Sequence, residues 1–484
     1  MIRGIPWTLL SYAFSKLVTV LSMVVLARLL VPDDFGIVAL ATLAVQIFNV
    51  LGTFGLSGVL VVRQDLDRRG MGTILTLMLA FGALVALVLG ALSPVIADLF
   101  DEPRLTGVLA ALSTMVFLAG FVWFYETLMQ RELEFRKRFM SLMVQSLVYA
   151  SLAISLAALG AGVWSLVVGQ IGGMVAFAIA LWLLAPYRVR PGFDSGEARA
   201  SFVAGRGFLL YGSLAVVEQN IDYIAVGRIL GATQLGFYSL AYRIGELPYL
   251  AIADPVARVT FPGFARMRHR GEDVGMPFLS ALRSVALVTC PLGVFVSAAA
   301  DPFTAALFGD KWLTMIGPLS VLGLWAAVRP VQATIGWLLN SIGEAWVMAW
   351  SSVLVFLPLV PGLVVAAELG GITAVAWVML ADILLSLVIL GLLVQRRGGV
   401  PVIAQWRAIM PVAVGCAGTW LVVWAVAQAM SASAPGLTLA ACVVAAAVTY
   451  AAAVSVVEPG LLRHALAQVK RTLGRMPDPA TNAR

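Results

Sequence analysis

The sequence places five cations inside long apolar stretches, where a charge is costly unless it has a partner or a ligand. They are Lys16, Arg28, Arg228, Arg243 and Arg329. A guanidinium binds phosphate oxygens through two parallel hydrogen bonds, and a lysine ammonium acts as a point charge. We therefore treat these five residues as candidates for binding an anionic ligand.

Some of these cations also have a structural explanation. Arg28 and Arg228 stand near the ends of apolar stretches, where a long side chain can snorkel to a membrane interface. Arg243 can form an ion pair with Glu246, three residues further along a helix. The other two cations have no acidic residue at helical spacing, which makes them the stronger candidates.

Two carboxylates stand one helical turn apart in the apolar stretch that also contains Arg228. Glu218 and Asp222 enclose the polar run Glu-Gln-Asn-Ile-Asp, and their spacing predicts a shared helix face. Close carboxylates need a cation or a shared proton. The pair therefore indicates a proton or sodium coupling site, and the alternative is ion pairing with arginines elsewhere in the fold.

The composition indicates which kind of secondary structure contains these residues. The 484 residues are 61% hydrophobic and only 12% charged, with a mean hydropathy of +0.97. Soluble domains carry about 25% charged residues, so the composition excludes a soluble enzyme, a disordered protein and a secreted disulfide scaffold. One helix needs about 20 apolar residues to cross a membrane. The sequence therefore predicts an all-α polytopic membrane protein with about 14 transmembrane helices.

The predicted segments are bounded by charges, prolines or glycines. They are 7–30, 36–62, 73–97, 105–128, 141–159, 163–186, 207–229, 236–261, 277–299, 314–340, 345–367, 372–394, 408–429 and 437–457. Cytoplasmic loops of membrane proteins hold an excess of Lys and Arg. With the N-terminus in the cytoplasm, only Arg104 and Lys311 fall in external loops. This distribution predicts that both termini are cytoplasmic.

The chain also repeats itself. Residues 26–30 correspond to 226–230 at an offset of 200, and 159–160 correspond to 369–370 at an offset of 210. Such pairs, ordered along six helices in each half, predict a parallel duplication about an axis along the membrane normal. Two lobes arranged in this way hold a central cavity in many transporters.

We therefore predict two six-helix lobes around a central cavity, together with a C-terminal helix pair. The boundaries are an N-lobe at 1–186, a cytoplasmic linker at 187–206, a C-lobe at 207–395, the helix pair at 396–457 and a basic amphipathic cytoplasmic tail at 458–484. Gly245, Pro248 and Pro255 mark a predicted hinge or broken helix.

Five stretches carry a family resemblance. They are 27–36 (Ala-Arg-Leu-Leu-Val-Pro-Asp-Asp-Phe-Gly), 130–136 (Gln-Arg-Glu-Leu-Glu-Phe-Arg), 159–164 (Leu-Gly-Ala-Gly-Val-Trp), 222–238 (beginning Asp-Tyr-Ile-Ala-Val-Gly-Arg and ending Leu-Gly-Phe-Tyr) and 308–312 (Phe-Gly-Asp-Lys-Trp). In this order they resemble the polysaccharide transporter family. That family belongs to the multidrug/oligosaccharidyl-lipid/polysaccharide exporter superfamily, and the likeness is to its colanic-acid and teichuronic-acid exporters.

The resemblance implies a flippase that moves undecaprenyl-pyrophosphate-linked oligosaccharide across the bacterial inner membrane by alternating access. In such a protein the five cations would bind the pyrophosphate and glycan, and the carboxylate pair would couple transport to a proton or sodium gradient. The expected partners are the lipid-linked cargo, membrane lipids and the polysaccharide assembly machinery. We expect a monomer that binds no nucleic acid, cofactor or metal.

Two alternatives remain open at this point. One is a cation-coupled multidrug exporter of the same superfamily, and the other is a membrane-integral polysaccharide polymerase. The sequence contains no Walker A motif and no long loop. We therefore expect a transporter rather than an enzyme.

Overall fold

The computed structural model describes residues 5–63, 66–132 and 134–457. Within these ranges the chain is built of helices. They are α1 (Ile5–Leu29), α2 (Pro32–Thr53), α3 (Leu56–Val62), α4 (Arg68–Leu99), α5 (Leu105–Arg131), α6 (Phe135–Ala158), α7 (Val163–Leu184), α8 (Ser195–Pro248), α9 (Asp254–His269), α10 (Gly275–Ala298), α11 (Ala300–Leu307), α12 (Ile316–Ser341), α13 (Ala345–Leu393), α14 (Val402–Ala429) and α15 (Pro435–Val457).

The structure shows an all-helical protein suited to a membrane. In the described ranges, ten helices are long and apolar enough to cross a bilayer. Helices α8 and α13 are longer than a single membrane crossing requires, because they have 54 and 49 residues. Each of them bends at a glycine with positive φ, Gly231 at 84° and Gly371 at 64°. A side chain disfavours that backbone conformation, so glycine permits the bend.

The helix boundaries differ from the prediction in three places. The predicted segment 36–62 breaks at Phe54 and Gly55, both with positive φ, which separates α2 from α3. The predicted segment 236–261 is interrupted by a π-helical turn at Tyr249–Ala253, directly after Pro248. A proline lacks the backbone N–H that continues a helix, and this explains the change of hydrogen-bond register. The predicted linker is helical from Ser195 onward.

The chain forms two compact units. Unit 1 comprises Met1–Tyr242, Phe308–Pro318 and Phe356–Val378. One of its hydrophobic clusters joins α3, α4, α5 and α7 through fully buried side chains. These include Leu56, Leu60, Ile74, Met78, Phe124, Leu128 and Leu181.

The segment 185–194 is bound along its length to unit 1. Gly192 exchanges two hydrogen bonds with Thr76 of α4, at 2.8 and 3.1 Å. The Tyr187 hydroxyl donates to Glu132 at 3.1 Å. Burial, and then this contact with a carboxylate, raises the pKa of Tyr187. These contacts hold the segment against α4 and α5, so it is not a free tether.

Unit 2 comprises Arg243–Leu307, Leu319–Val355 and Met379–Arg484. Its core packs α10 against α12 and α14. The Trp420 indole donates to the Ser297 hydroxyl at 3.1 Å, and the Tyr450 hydroxyl donates to the Leu287 carbonyl. Helices α14 and α15 are therefore integral to unit 2. The predicted amphipathic tail at 458–484 lies outside the described residues.

Candidate functional site

Arg329 lies between two aromatic rings in unit 2. Its guanidinium carbon is 4.8 Å from the ring centroid of Trp325 and 4.9 Å from that of Tyr249. Aromatic faces attract a cation, so the two rings take the place of the carboxylate that the local sequence lacks. Trp325 is only 2% exposed, which fixes one ring.

The hydrogen-bonding capacity of Arg329 is incompletely used. Its Nε is buried and has no hydrogen-bond partner among the described residues. A buried donor without an acceptor costs about 1–3 kcal/mol. A guanidinium has five N–H donors along its edges. The Nε donor of Arg329 is therefore buried and unsatisfied in this conformation.

The local backbone explains where the two rings stand. Tyr249 opens the π turn between α8 and α9, and this turn changes the direction of side chains relative to a regular helix. Helix α12 is held close to α10, because a Cβ atom on Gly293 would lie 2.4 Å from the Ala327 nitrogen and one on Gly323 would lie 2.5 Å from the Ser297 nitrogen. This tight crossing fixes α12 and the residues it carries.

Arg243 is a second cation in unit 2. It is half-buried, and the structure does not show the ion pair with Glu246 that the helical spacing permits. Arg243 makes no hydrogen bond or ion pair within the part of unit 2 that the structure describes. Two residues further on, a Cβ atom on Gly245 would lie 3.1 Å from the Leu322 carbonyl oxygen, so α8 and α12 are in close contact there.

The other three cations belong to unit 1. Arg28 and Arg228 are exposed near helix ends, as snorkelling predicts. Arg228 forms an ion pair with Asp101 at 2.8 Å, and both side chains are more than half exposed. Such exposed pairs contribute about 0–1 kcal/mol to stability. The side chain of Lys16 lies outside the described residues.

The two carboxylates occupy different environments in unit 1. Asp222 is fully buried and accepts a hydrogen bond from the Tyr238 hydroxyl at 2.8 Å. The rings of Tyr223 and Tyr242 pack edge to face beside it, with centroids 5.5 Å apart. Glu218 is exposed. Their helical spacing is as predicted, and they differ in burial.

Sequence analysis missed the aromatic partners of both sites. For Arg329, Trp325 stands four residues away on the same helix, and this spacing could have identified it as a partner. For Asp222, Tyr238 and Tyr242 also stand four apart on α8 and mark one face. Tyr249 left no local signal, because it reaches Arg329 from a distant part of the chain.

Residues 25–317 match the family described as polysaccharide biosynthesis protein. This match spans more than half of the chain, so the chain belongs to that family. It is 27% identical over 380 residues to the teichuronic acid biosynthesis protein TuaB of Bacillus subtilis, covering 78% of each chain. It is 26% identical to the succinoglycan biosynthesis transport protein ExoT of Rhizobium meliloti, covering 72% of this chain and 70% of ExoT.

Solved structures share the fold at lower sequence identity. The lipid II flippase MurJ in an inward closed conformation superposes with a TM-score of 0.75 at 12% identity, covering 94% of this chain and 99% of MurJ. An inward-facing multidrug resistance transporter of the MATE family gives a TM-score of 0.66 at 15% identity, covering 80% and 94%. The chain therefore shares the fold of these two solved structures.

Proposed function

We propose that this protein is a flippase that moves an undecaprenyl-pyrophosphate-linked oligosaccharide across the bacterial inner membrane by alternating access. Its role would be in exopolysaccharide or lipopolysaccharide assembly. The observation that carries the proposal is the family match over residues 25–317. Relatives named for teichuronic acid biosynthesis and succinoglycan transport, and the fold of a lipid II flippase, support it.

Tyr249, Trp325 and Arg329 together form what we call the aromatic clamp. The chemistry of the cargo explains why this clamp contains a cation. A pyrophosphate loses its hydration when it enters a low-dielectric space, so it needs cationic donors that are already in place. The rings hold the guanidinium without neutralising it, and its Nε has no acceptor in the described chain. We propose that Arg329 binds the pyrophosphate, with Arg243 and Lys16 contributing along the path.

Arg28 and Arg228 have smaller roles in this proposal. Both are exposed near helix ends, and Arg228 already has Asp101 as a partner. They fit a role at the mouth of the path, where they would attract the anionic head group.

We propose that Asp222 and Glu218 couple transport to a proton or sodium gradient. The two carboxylates differ in burial, so an ion can reach exposed Glu218 more readily than buried Asp222. A gradient drives transport only if protonation differs between the conformations. Exposed Glu218 is the residue that would take up the ion, and buried Asp222 with Tyr238 would respond to it.

The wider architecture is also proposed. It comprises fourteen membrane crossings, cytoplasmic termini, lobes at 1–186 and 207–395, a helix pair at 396–457 and a monomeric state. The bends at Gly231 and Gly371 support the number of crossings, because they divide α8 and α13 into limbs of membrane-crossing length. The positive-inside distribution supports the orientation.

The test of the phosphate site compares Arg329→Ala and Arg329→Lys with Arg407→Ala as the control. Arg407 is an exposed arginine of α14. We expect Arg329→Ala to abolish flipping of a fluorescent undecaprenyl-pyrophosphate oligosaccharide in proteoliposomes. Arg329→Lys should retain part of the activity, and Arg407→Ala should be normal. Full activity of Arg329→Ala would remove this residue from the proposed site.

The multidrug exporter remains the alternative, since a MATE-family transporter shares the fold. The same proteoliposomes separate the two functions. An exporter would accumulate a cationic dye against an ion gradient and ignore the lipid-linked cargo. Dye transport without glycan flipping would replace the proposed function with this one.

A further inference from the structure

Two helix starts in unit 1 cross at unusually short range. A Cβ atom on Gly36 of α2 would lie 1.7 Å from the Ala232 carbonyl oxygen. One on Gly236 of α8 would lie 1.9 Å from the Pro32 carbonyl oxygen. Real Cβ atoms never approach so closely, so both positions require glycine for this contact.

The crossing joins equivalent positions of the internal repeat. Gly36 and Gly236 differ by the repeat offset of 200, and each backbone approaches the other's helix start in the same way. The equivalent pair Asp33 and Thr233 also meets, with the Thr233 hydroxyl donating to Asp33 at 2.8 Å. The contact is therefore self-complementary about the pseudo-two-fold relation between the halves.

The short segment 308–312 closes over the crossing. The Lys311 ammonium donates to the carbonyl of Arg28 at 2.7 Å and also to the carbonyl of Leu30. The Trp312 indole donates to the carbonyl of Ala27 at 2.8 Å. The last carbonyls of a helix lack partners within it and carry partial negative charge, so a cation and an N–H donor stabilise that end.

Trp312 also fills the space beside the crossing. Its ring is fully buried and stands edge to face against Phe35 of α2, at 5.2 Å, and against Phe237 of α8, at 5.8 Å. One side chain from a third segment thus packs against both crossing helices. Separating α2 from α8 would expose this ring and break the hydrogen bonds to the end of α1.

A further ion pair borders the same contact. Arg104 binds Asp33 and also Glu102, at 3.0 Å. The hydrogen bonds to Glu102 and Asp33 raise the pKa of Arg104, so this arginine stays charged. Asp33 therefore contacts residues from both halves of the repeat, Arg104 and Thr233.

We infer that this crossing, comprising Gly36, Gly236, Asp33, Thr233, Lys311 and Trp312, is the external gate of the transport cycle. This inference rests on the proposed function and on the topology that places Lys311 outside. The gate is closed in this structure. It opens when α2 and α8 separate and Lys311 and Trp312 leave the end of α1.

The first experiment locks the gate. Cys290, Cys416 and Cys442 are replaced by Ala, and Asp33→Cys is combined with Thr233→Cys. Oxidation should form a disulfide that mass spectrometry of the linked peptides detects, and flipping should stop until a reductant is added. The activity of each single cysteine variant should be the same before and after oxidation. A cross-linked protein that flips cargo at the uncross-linked rate would overturn the inference.

The second experiment opens the gate by steric conflict. Gly36→Ala and Gly236→Ala are compared with Gly418→Ala, a helical glycine with no atom within 4 Å of its added Cβ. The reporter is Gln46→Cys, an exposed position deeper in α2. An impermeant maleimide added outside spheroplasts should label it several-fold faster in the two gate variants and at the unchanged rate in Gly418→Ala.

The two arms separate this inference from the proposed function. Labelling reports opening without any cargo, so faster labelling of the glycine variants supports the gate whatever the cargo is. Absence of glycan flipping by the parent protein would reject the flippase and leave the gate. Normal flipping with unchanged labelling in well-folded gate variants would reject the gate. If the glycine variants do not reach the membrane, the disulfide experiment alone decides whether this crossing is a gate.

Discussion

Two ionisable groups in this protein stand beside tyrosines, and the tyrosines contact them in different ways. In unit 1, Asp222 is fully buried and accepts a hydrogen bond from the Tyr238 hydroxyl. In unit 2, Arg329 is held by ring faces. Asp222 Oδ1 and Arg329 Nε are both buried without a hydrogen-bond partner among the described residues. The difference is therefore between a hydroxyl that donates a hydrogen bond to a carboxylate and a ring face that attracts a cation.

The largest effect on stability should come from Asp222→Ala. This change leaves the Tyr238 hydroxyl buried without its acceptor, which costs about 1–3 kcal/mol. The thermal unfolding temperature of the purified protein should fall clearly, whereas Asp222→Asn, which keeps an acceptor, should lower it less. Equal stability of both variants with the parent protein would end the contrast between the two sites.

The next effect concerns the clamp and should appear in cargo binding. Tyr249→Leu removes one ring face, and a cation–π contact contributes about 0.5–2 kcal/mol. The affinity for the lipid-linked cargo should fall by several-fold, while Tyr249→Phe, which keeps the ring, should bind normally. A loss in both variants would assign the role to the tyrosine hydroxyl and not to the ring face.

Tyr238→Phe removes the hydroxyl that donates to Asp222 and keeps the ring. We expect a stability loss of about 1 kcal/mol, as for one hydrogen bond. If Asp222 takes part in coupling, the dependence of flipping on an imposed proton gradient should also change. A variant that loses stability but keeps the wild-type gradient response would limit Asp222 to a structural role.

The smallest change in stability should follow Glu218→Gln, because this side chain is exposed. Surface substitutions of this kind usually change stability by less than about 0.5 kcal/mol. Its effect should appear in transport, as a reduced response of flipping to a proton or sodium gradient in proteoliposomes. Wild-type flipping that ignores both gradients would remove the coupling role from both carboxylates.

The helices could be predicted from the sequence because a membrane imposes a local rule. Each crossing needs a run of apolar residues, and each turn leaves charges, glycines or prolines at its ends. The bends at Gly231 and Gly371 fall between predicted segments for this reason. The break at Phe54 was missed, because 36–62 was taken as one uncharged segment although Gly52, Gly55 and Gly58 cluster there.

The candidate residues were found for a related reason, but their partners were not. A charge in an apolar stretch stands out in the sequence whatever surrounds it, as Arg329 and Asp222 do. Which group meets it depends on where helices cross. Arg243 and Glu246 do not pair although they are three residues apart, because spacing permits a contact without requiring it.

The sequence by itself determined a helical membrane protein with a small set of charges in its apolar stretches, and it predicts an internal repeat. These properties follow from the composition and from the spacing of apolar and charged residues, which can be read from each stretch of sequence by itself. The tertiary structure alone decided that Gly36 and Gly236 touch, that Lys311 binds the end of α1, and that Tyr249 reaches Arg329. Such contacts join segments that are far apart in the chain, and they form only where packing brings two helices within atomic distance.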